Sequence, residues 1–485
     1  MKRILGSLAL IIVLWLGSTA VIGNKTKSEL DRGIEKSNKE YAKHGIELNI
    51  LEYEQSFFTS GLKLEVKILD KELEKMITDN YGLIFPLISQ YDIEHGPLFF
   101  KNGLGVGLSR VYQELEISSL FRKEIQEKFS KKSMIASKSV VSFSKIADYS
   151  ILSEAIEIKD ENSKIDISPF EIRGETHLDT LVGETQIVLP LFSFLENEKK
   201  LMIESMQIDV KIDDSLSPSL AMGDIDLSIK KLYISDKENG EIELYPTLSI
   251  VSKKDSDKTF GSNIEMQIDV GKSTTQKSLA EIEKLFFNIK MDGIGIKGME
   301  KYQTITKKME QKQATIMIDI QKNPENQEEN YAKLVKLQEE MSAGILDTLK
   351  DMIFKNKSAI SYSFMGQTKD KKDSHGDISL KYIGDINFSK TAQEISQEIN
   401  TNLFNLFELE IDINVDEKHI STLPDGDEFL KQLQAPMTQT MINHQNQKYI
   451  IKGHLKNQEL ILNDNNLTNT VLPLLKMLTQ MGMSK

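Results

Sequence analysis

The chain has 485 residues, no cysteine, and a net charge of −13 from 60 Lys+Arg against 73 Asp+Glu. These counts exclude disulfides, thiolate metal sites, iron–sulfur clusters and thiol nucleophiles, and so acidic a balance argues against bulk nucleic-acid binding, because phosphates are repelled. With 39% hydrophobic and 27% charged residues, the chain can bury a sizeable core but is too polar for repeated membrane crossings.

In chain order, Lys2 and Arg3 precede an uncharged run from Ile4 to Gly23. Twenty residues at about 1.5 Å each reach roughly 30 Å, a bilayer core. The run predicts a transmembrane anchor over 1–24 with its N-terminus cytoplasmic and the rest of the chain outside. The rival reading is a cleaved signal peptide, with Ser18 and Ala20 as the small residues at the cleavage site. The length of the apolar run favours the uncleaved anchor. Without the cations Lys2 and Arg3 the exported part carries −15, so charge does not draw it to an anionic membrane.

Residues 25–45 are charged and read as a solvated stalk helix ending at Gly45. The period then changes to two. Ile46, Leu48 and Ile50 alternate with polar neighbours, as do Leu62 to Ile68, Met206 to Ile212, Ile225 to Ile229 and Ile264 to Val270. Later runs are Ile360 to Phe364, Ile378 to Tyr382, Leu409 to Val415, Tyr449 to Leu455 and Leu460 to Leu462. One apolar and one polar face suit antiparallel sheet with a wet side. Turn residues such as Lys237-Glu238-Asn239-Gly240 separate the runs.

Between Met299 and Phe354 the spacing is helical. Tyr331, Leu334, Leu337, Met341, Ile345, Leu349 and Met352 recur three or four apart, and Asn323-Pro324 divides two helices, 299–322 and 326–354. Shorter amphipathic helices are expected at Ala392–Asn405 and Asp427–Asn443, and a terminal one at Leu467–Met483. The expected fold class is therefore α+β: an N-terminal transmembrane helix, then extended, curved antiparallel sheets covered by a long helical hairpin. The expected parts are 1–24 anchor, 25–45 stalk, 46–295 β-rich, 296–357 helical hairpin and 358–485 β-rich with amphipathic helices.

Several segments imitate chemical motifs. Gly271-Lys272-Ser273-Thr274 resembles the end of a P-loop, but Met266 stands where the first glycine belongs and the strand pattern runs through, so no phosphate cradle forms. Asp213-Asp214-Ser215-Leu216-Ser217 reads as a polar turn rather than a metal site. Gly103, Gly105 and Gly107 read as a strand with small residues on one face. The seven histidines are dispersed and form no zinc spacing. Phe57-Phe58 and Met477, Met481 and Met483 are apolar enough to meet lipid, with plain core as the simpler reading.

Four features resemble a known family. They are the N-terminal anchor, Tyr53-Glu54-Gln55-Ser56-Phe57-Phe58-Thr59-Ser60, Ile93-Glu94-His95-Gly96-Pro97-Leu98, and the late helices with the tail Gly453-His454-Leu455 to Leu462-Asn463. Together they are similar to the YdgA-like envelope proteins of bacteria, a domain of unknown function (DUF945). Ser56 departs from the glycine common there, which puts that local turn in doubt. The resemblance implies a single-pass inner-membrane protein with its bulk in the periplasm, and no known reaction. It singles out Tyr53, Phe57, Phe58, Ser60, His95, Gly96 and Pro97, read as structural.

His95 as a base needs a partner within hydrogen-bond reach, and Glu94 points the other way along a strand. The expectation is a non-enzymatic protein with no catalytic residue, cofactor, metal or nucleic acid. Its expected partners are the inner membrane through residues 4–23 and a lipid or envelope protein. A homo-oligomeric scaffold or adhesion protein is the alternative, and a hydrolase centred on His95 ranks behind it.

Overall fold

The computed structural model describes residues 26–471 apart from 29, 36, 40–44, 218–219, 239, 275–280, 323–326, 389, 391, 423–425 and 435–440. The chain divides into two units, 1–214 with 229–234, and 215–228 with 235–485. It is mostly antiparallel β, about 55% strand and 25% helix.

The first unit holds β1 (Ile46–Gln55), β2 (Thr59–Ile68), β3 (Leu87–His95), the short β4 (Leu98–Phe99) and β5 (Gly105–Val106), β6 (Ser109–Glu116), β7 (Met134–Val141) and β8 (Ile146–Ser153). It continues through β9 (Ile156–Lys159), β10 (Ser163–Ile167), β11 (Glu171–His177), β12 (Gly183–Glu196) and β13 (Lys199–Ser217), the last of which runs beyond the unit. Helix α1 (Lys71–Tyr81) links β2 to β3, and Asp70 caps it by accepting from the Glu72 and Leu73 amides. The ladder is a meander. β1, β2, β3, β6, β7, β8 and β11 pair in turn. β12 pairs β11 along its first half, β10 along its second half, and β13 on its other side.

Residues 26–28, 30–35 and 37–39 are helical. Asn38 Nδ2 donates to the Leu48 carbonyl and its Oδ1 accepts the Leu48 amide, both at 2.8 Å. A side-chain amide thus imitates a neighbouring strand on the open edge of β1, one way of blunting such an edge.

The second unit holds most of β14 (Leu220–Asp236), then β15 (Gly240–Lys254), β16 (Thr259–Ser273), β17 (Ile282–Gly295), α2 (Ile296–Lys322), α3 (Gln327–Met352), β18 (Ala359–Thr368) and β19 (Asp373–Tyr382). It ends with α4 (Ala392–Leu406), β20 (Phe407–Asp416), α5 (Glu417–Ser421), α6 (Gly426–Leu433), β21 (Asn443–Gln445), β22 (Lys448–Lys456), β23 (Glu459–Leu462) and β24 (Asn465–Asn466). From β15 to β20 each strand pairs with the next, and β20 then pairs with β22.

Register makes this sheet two-faced. Leu248, Met266, Phe287, Phe364, Gly376, Ile413 and Ile451 form one cross-strand row. The glycine is needed there, since a Cβ would lie 2.1 Å from the Phe364 ring. The neighbouring positions, Glu265, Asn288, Ser363, Asp377, Asp412 and Lys452, form a row on the other face. Alternation in the sequence thus becomes an apolar side and a polar side.

The expected fold class is corrected. Among the described residues no helix is long and apolar enough to cross a membrane; residues 4–23, on which the expected anchor falls, lie outside them. Nor is there a helical layer over the sheet. α2 and α3 face each other through the ion pairs Lys301–Asp351 and Lys312–Glu340, and meet the strands chiefly at β17, whose chain runs directly into α2. There Gly295 and Gly298 let α3 approach closely, a Cβ on Gly295 falling 1.9 Å from the Asp351 carbonyl oxygen. Helical periodicity in sequence reports a buried stripe, and here much of that stripe faces another helix.

Two smaller readings also change. Asp213–Ser217 continues β13 rather than turning. Of Gly103–Gly107 only Gly105–Val106 is strand, and Gly103 has φ +94° in a loop. The expected terminal helix is described only to residue 471, where Leu467 packs with Phe404, Leu455 and Leu460; the rest lies outside the described residues.

Candidate functional site

Two places collect chemistry, one in each unit. The first is the motif region, built on the adjacent ends of β2, β3 and β6. Ser60 and His95 are 3% and 1% exposed, and Ser60 Oγ lies 2.7 Å from His95 Nε2. The His95 amide donates to the Phe58 carbonyl, tying the aromatic turn to β3. His95 Nδ1 is buried with no partner among the described residues. Burial pushes the imidazole pKa below its ordinary value, so the ring is neutral at pH 7.

Glu94 turns away from His95, as strand alternation requires, and meets Arg110 instead. Arg110 Nε donates to Glu94 Oε2 at 2.7 Å, with both side chains 4% exposed. The other carboxylate oxygen accepts the Lys101 amide at 2.8 Å. Arg110 also donates to the Gly103 carbonyl and sits 4.9 Å from the centre of the Phe99 ring. Glu94 Oε1 and Arg110 Nη2 of this buried pair therefore hold the 96–107 loop. Gly96 is obligatory, since a Cβ there would fall 1.7 Å from the Gly107 carbonyl oxygen.

The structure brings together Phe58, Ser60, His95, Gly96 and Pro97, but not as an open site. No carboxylate contacts the imidazole, and the pair is sealed from solvent. Phe57 and Phe58 stack edge to face at 4.8 Å and are exposed rather than core. Tyr53 carries the Lys27 ammonium over its ring at 5.7 Å. Arg110, which fixes the arrangement, was not legible: an arginine in an alternating strand looks like any solvated residue.

The second place is an apolar cleft in the second unit, of about 400 Å³. Leu285, Phe287, Phe364, Ile413 and Ile451 line the sheet side, and Phe429 and Leu433 of α6 face them. α5 forms because Asp416 Oδ1 caps it, accepting the Lys418 amide. One turn on, His419 swings back over β19, where its Nδ1 lies 2.8 Å from Ser374 Oγ. The same hydroxyl accepts the Asp416 amide at 2.9 Å. With two lone pairs that hydroxyl can either donate to Nδ1 or accept from it, and the tautomer of His419 decides which. Nε2 is buried without a partner among the described residues, pressed on Gly366, whose missing Cβ would be 3.2 Å away. Burial lowers the His419 pKa, with Asp416, Asp373 and Asp370 opposing.

Of the other hydroxyls in the wall, Thr422 donates to the His419 carbonyl and Tyr449 to Glu417 Oε1 at 3.4 Å. Among the described residues no Asp, Glu, Lys or Arg lines the cleft. The arrangement offers hydrocarbon packing and little polar recognition. Ser374 and His419 stand 45 residues apart, and no motif links them. No group of three or more His, Asp or Glu suited to a metal occurs among the described residues.

This combination, an amphipathic β meander with one sealed polar knot and one apolar cleft, defines a mostly antiparallel β class. The chain belongs to the family of bacterial proteins of unknown function designated DUF945, whose pattern it matches over residues 1–470. No curated protein and no solved structure is significantly similar to it.

Proposed function

We propose that the chain is a non-enzymatic envelope protein, held at the inner membrane through residues 4–23 with its bulk in the periplasm, that binds a hydrocarbon chain of an envelope component in the second unit. The observation that carries this reading is the cleft. Its volume of about 400 Å³ falls in the roughly 300–1,000 Å³ range of small-molecule sites, and its walls are apolar. The row Met266, Phe287 and Phe364 leads away from it over the sheet, and Met266, Phe287 and Tyr362 are exposed there. Apolar surface of this kind, continuous with a cleft, is uncommon on a protein without a ligand or partner.

Phe429 lines the cleft and is 48% exposed, so Phe429→Glu places a charge in the cleft without disturbing a packed core. Binding of a fluorescent hydrophobic probe, N-phenyl-1-naphthylamine, is expected to weaken at least tenfold in this variant while its melting temperature stays within a few degrees. Unchanged probe binding would remove the cleft from consideration. The homo-oligomer reading rests on the same exposed face, which a second copy would cover. Light scattering on the eluted protein separates the two, because a ligand-binding monomer keeps the mass of one chain.

A further inference from the structure

In the first unit, successive turns at one end of the sheet expose large apolar side chains. Phe57 and Phe58 form the β1–β2 turn, Phe100 and Leu104 lie between β3 and β6, Phe143 stands in the β7–β8 turn and Leu178 in the β11–β12 turn. Leu104 is 86% exposed, Phe143 59% and Phe100 55%. At the opposite end the turns 160–162 and 197–198 carry only Asp160, Glu161, Asn162, Asn197 and Glu198. The wide β2–β3 connection there also exposes Leu69, Tyr81 and Ile84, but beside Asp70 and, in α1, Glu72, Glu74 and Asp79. Single exposed apolar residues are ordinary, whereas a set gathered at one end of a sheet is not.

These tips are held firmly. The 96–107 loop hangs on the sealed Glu94–Arg110 pair, and Phe99 anchors it at 1% exposure. The chain also leaves the described structure at this same end. The helical stretch 26–39 runs antiparallel to β1, with Lys27 over Tyr53 and Asn38 bonded to Leu48. Residue 26 therefore lies near the Phe57–Phe58 end of β1, and the apolar run Ile4–Gly23 precedes it by only a few residues.

We infer that this end of the first unit sits on the phospholipid bilayer that holds residues 4–23, with Phe57, Phe58, Phe100, Leu104, Phe143 and Leu178 sunk to the boundary between headgroups and acyl chains. The inference rests on the membrane attachment proposed above. A bilayer suits the geometry better than a folded partner, because the side chains stand on separate turns. A fluid interface accepts separate tips, whereas a protein would need a matching socket for each. The nearby cations are already engaged, Lys101 with Asp92 and Lys145 with Asp179. Seating is therefore apolar in origin and depends weakly on anionic lipid.

The chain has no cysteine, so single cysteines introduced as Leu104→Cys, Phe143→Cys and, as control, Asn197→Cys carry a fluorophore at one place each. The full-length labelled proteins are reconstituted in phosphatidylethanolamine–phosphatidylglycerol vesicles and floated on a density gradient. The expected result is flotation of all three. Labels at 104 and 143 are then quenched by brominated acyl chains and shielded severalfold from aqueous iodide, and the label at 197 behaves oppositely. Floating protein whose labels at 104 and 143 meet iodide as freely as the control overturns the seating while leaving the attachment intact. Protein that does not float removes both. Labels shielded from iodide yet blind to brominated lipid, on protein of doubled mass in detergent, overturn the inference in favour of a second copy covering the turns.

Discussion

Arg110 and Glu94 illustrate how a few buried residues position an exposed surface. Neither touches solvent, and between them they bond the Lys101 amide, the Gly103 carbonyl and each other. Removing one partner strands the other charge in the interior, which costs about 3–5 kcal/mol. Arg110→Ala is expected to lower the urea midpoint by that free energy, and Glu94→Gln to do so by less because the amide keeps an acceptor. The imidazoles of His95, which is buried, and His419, which is half-buried, add a pH dependence. Burial lowers the pKa of both His95 and His419 in the folded chain, while an unfolded imidazole titrates near 6.5. Below about pH 6.5 the unfolded chain binds more protons than the folded one, so stability falls as pH drops and levels off once the folded-state values are passed. Urea midpoints measured from pH 7.5 to 5 are expected to decline through this window, and His95→Gln to flatten the slope. A slope unchanged by that substitution would mean that His95 does not contribute to it.

At the scale of elements, the strands were the most legible feature. Apart from Gly103–Gly107, of which only Gly105–Val106 is strand, the alternating runs became strands, because a sheet with one wet face prints its period directly on the chain. β20, β22 and β23 are cases where the run and the strand nearly coincide. The helices between 296 and 352 and over 392–406 were legible in position but not in role, since spacing at three and four reports a buried stripe without naming its partner. α1 was not foreseen, and of the expected Asp427–Asn443 helix the described helical part is α6 (Gly426–Leu433), with Asn443 in β21. The contacts that make the candidate sites were not legible either. Ser60 reaches His95 across 35 residues and Ser374 reaches His419 across 45, and such pairings arise from register rather than local pattern. Asn38 is a further example. Its two bonds to Leu48 predict that Asn38→Ala costs about 1 kcal/mol and speeds hydrogen exchange at the Leu48 amide. Exchange there unchanged by the substitution would show that the edge of β1 is protected by something else.

For the whole molecule, the two units carry different kinds of apolar surface. The first unit presents apolar side chains on rigid turns, and the second presents an apolar sheet face with a cleft at α6. The polar interior of the first is closed and scaffolds a surface, which is why His95 makes a poor base despite its place in the sequence motif. The cleft of the second is open enough for a ligand and has too little polar chemistry to transform one. This division accounts for the many one-sided strands of both units. The most direct test of the central claim is native mass spectrometry of the full-length protein released from its membrane, with lipid extraction, beside the Phe429→Glu variant. The account predicts an acyl-chain lipid retained at a fixed stoichiometry by the parent protein and lost from the variant. A lipid-free parent, or lipid retained equally by both, would contradict it.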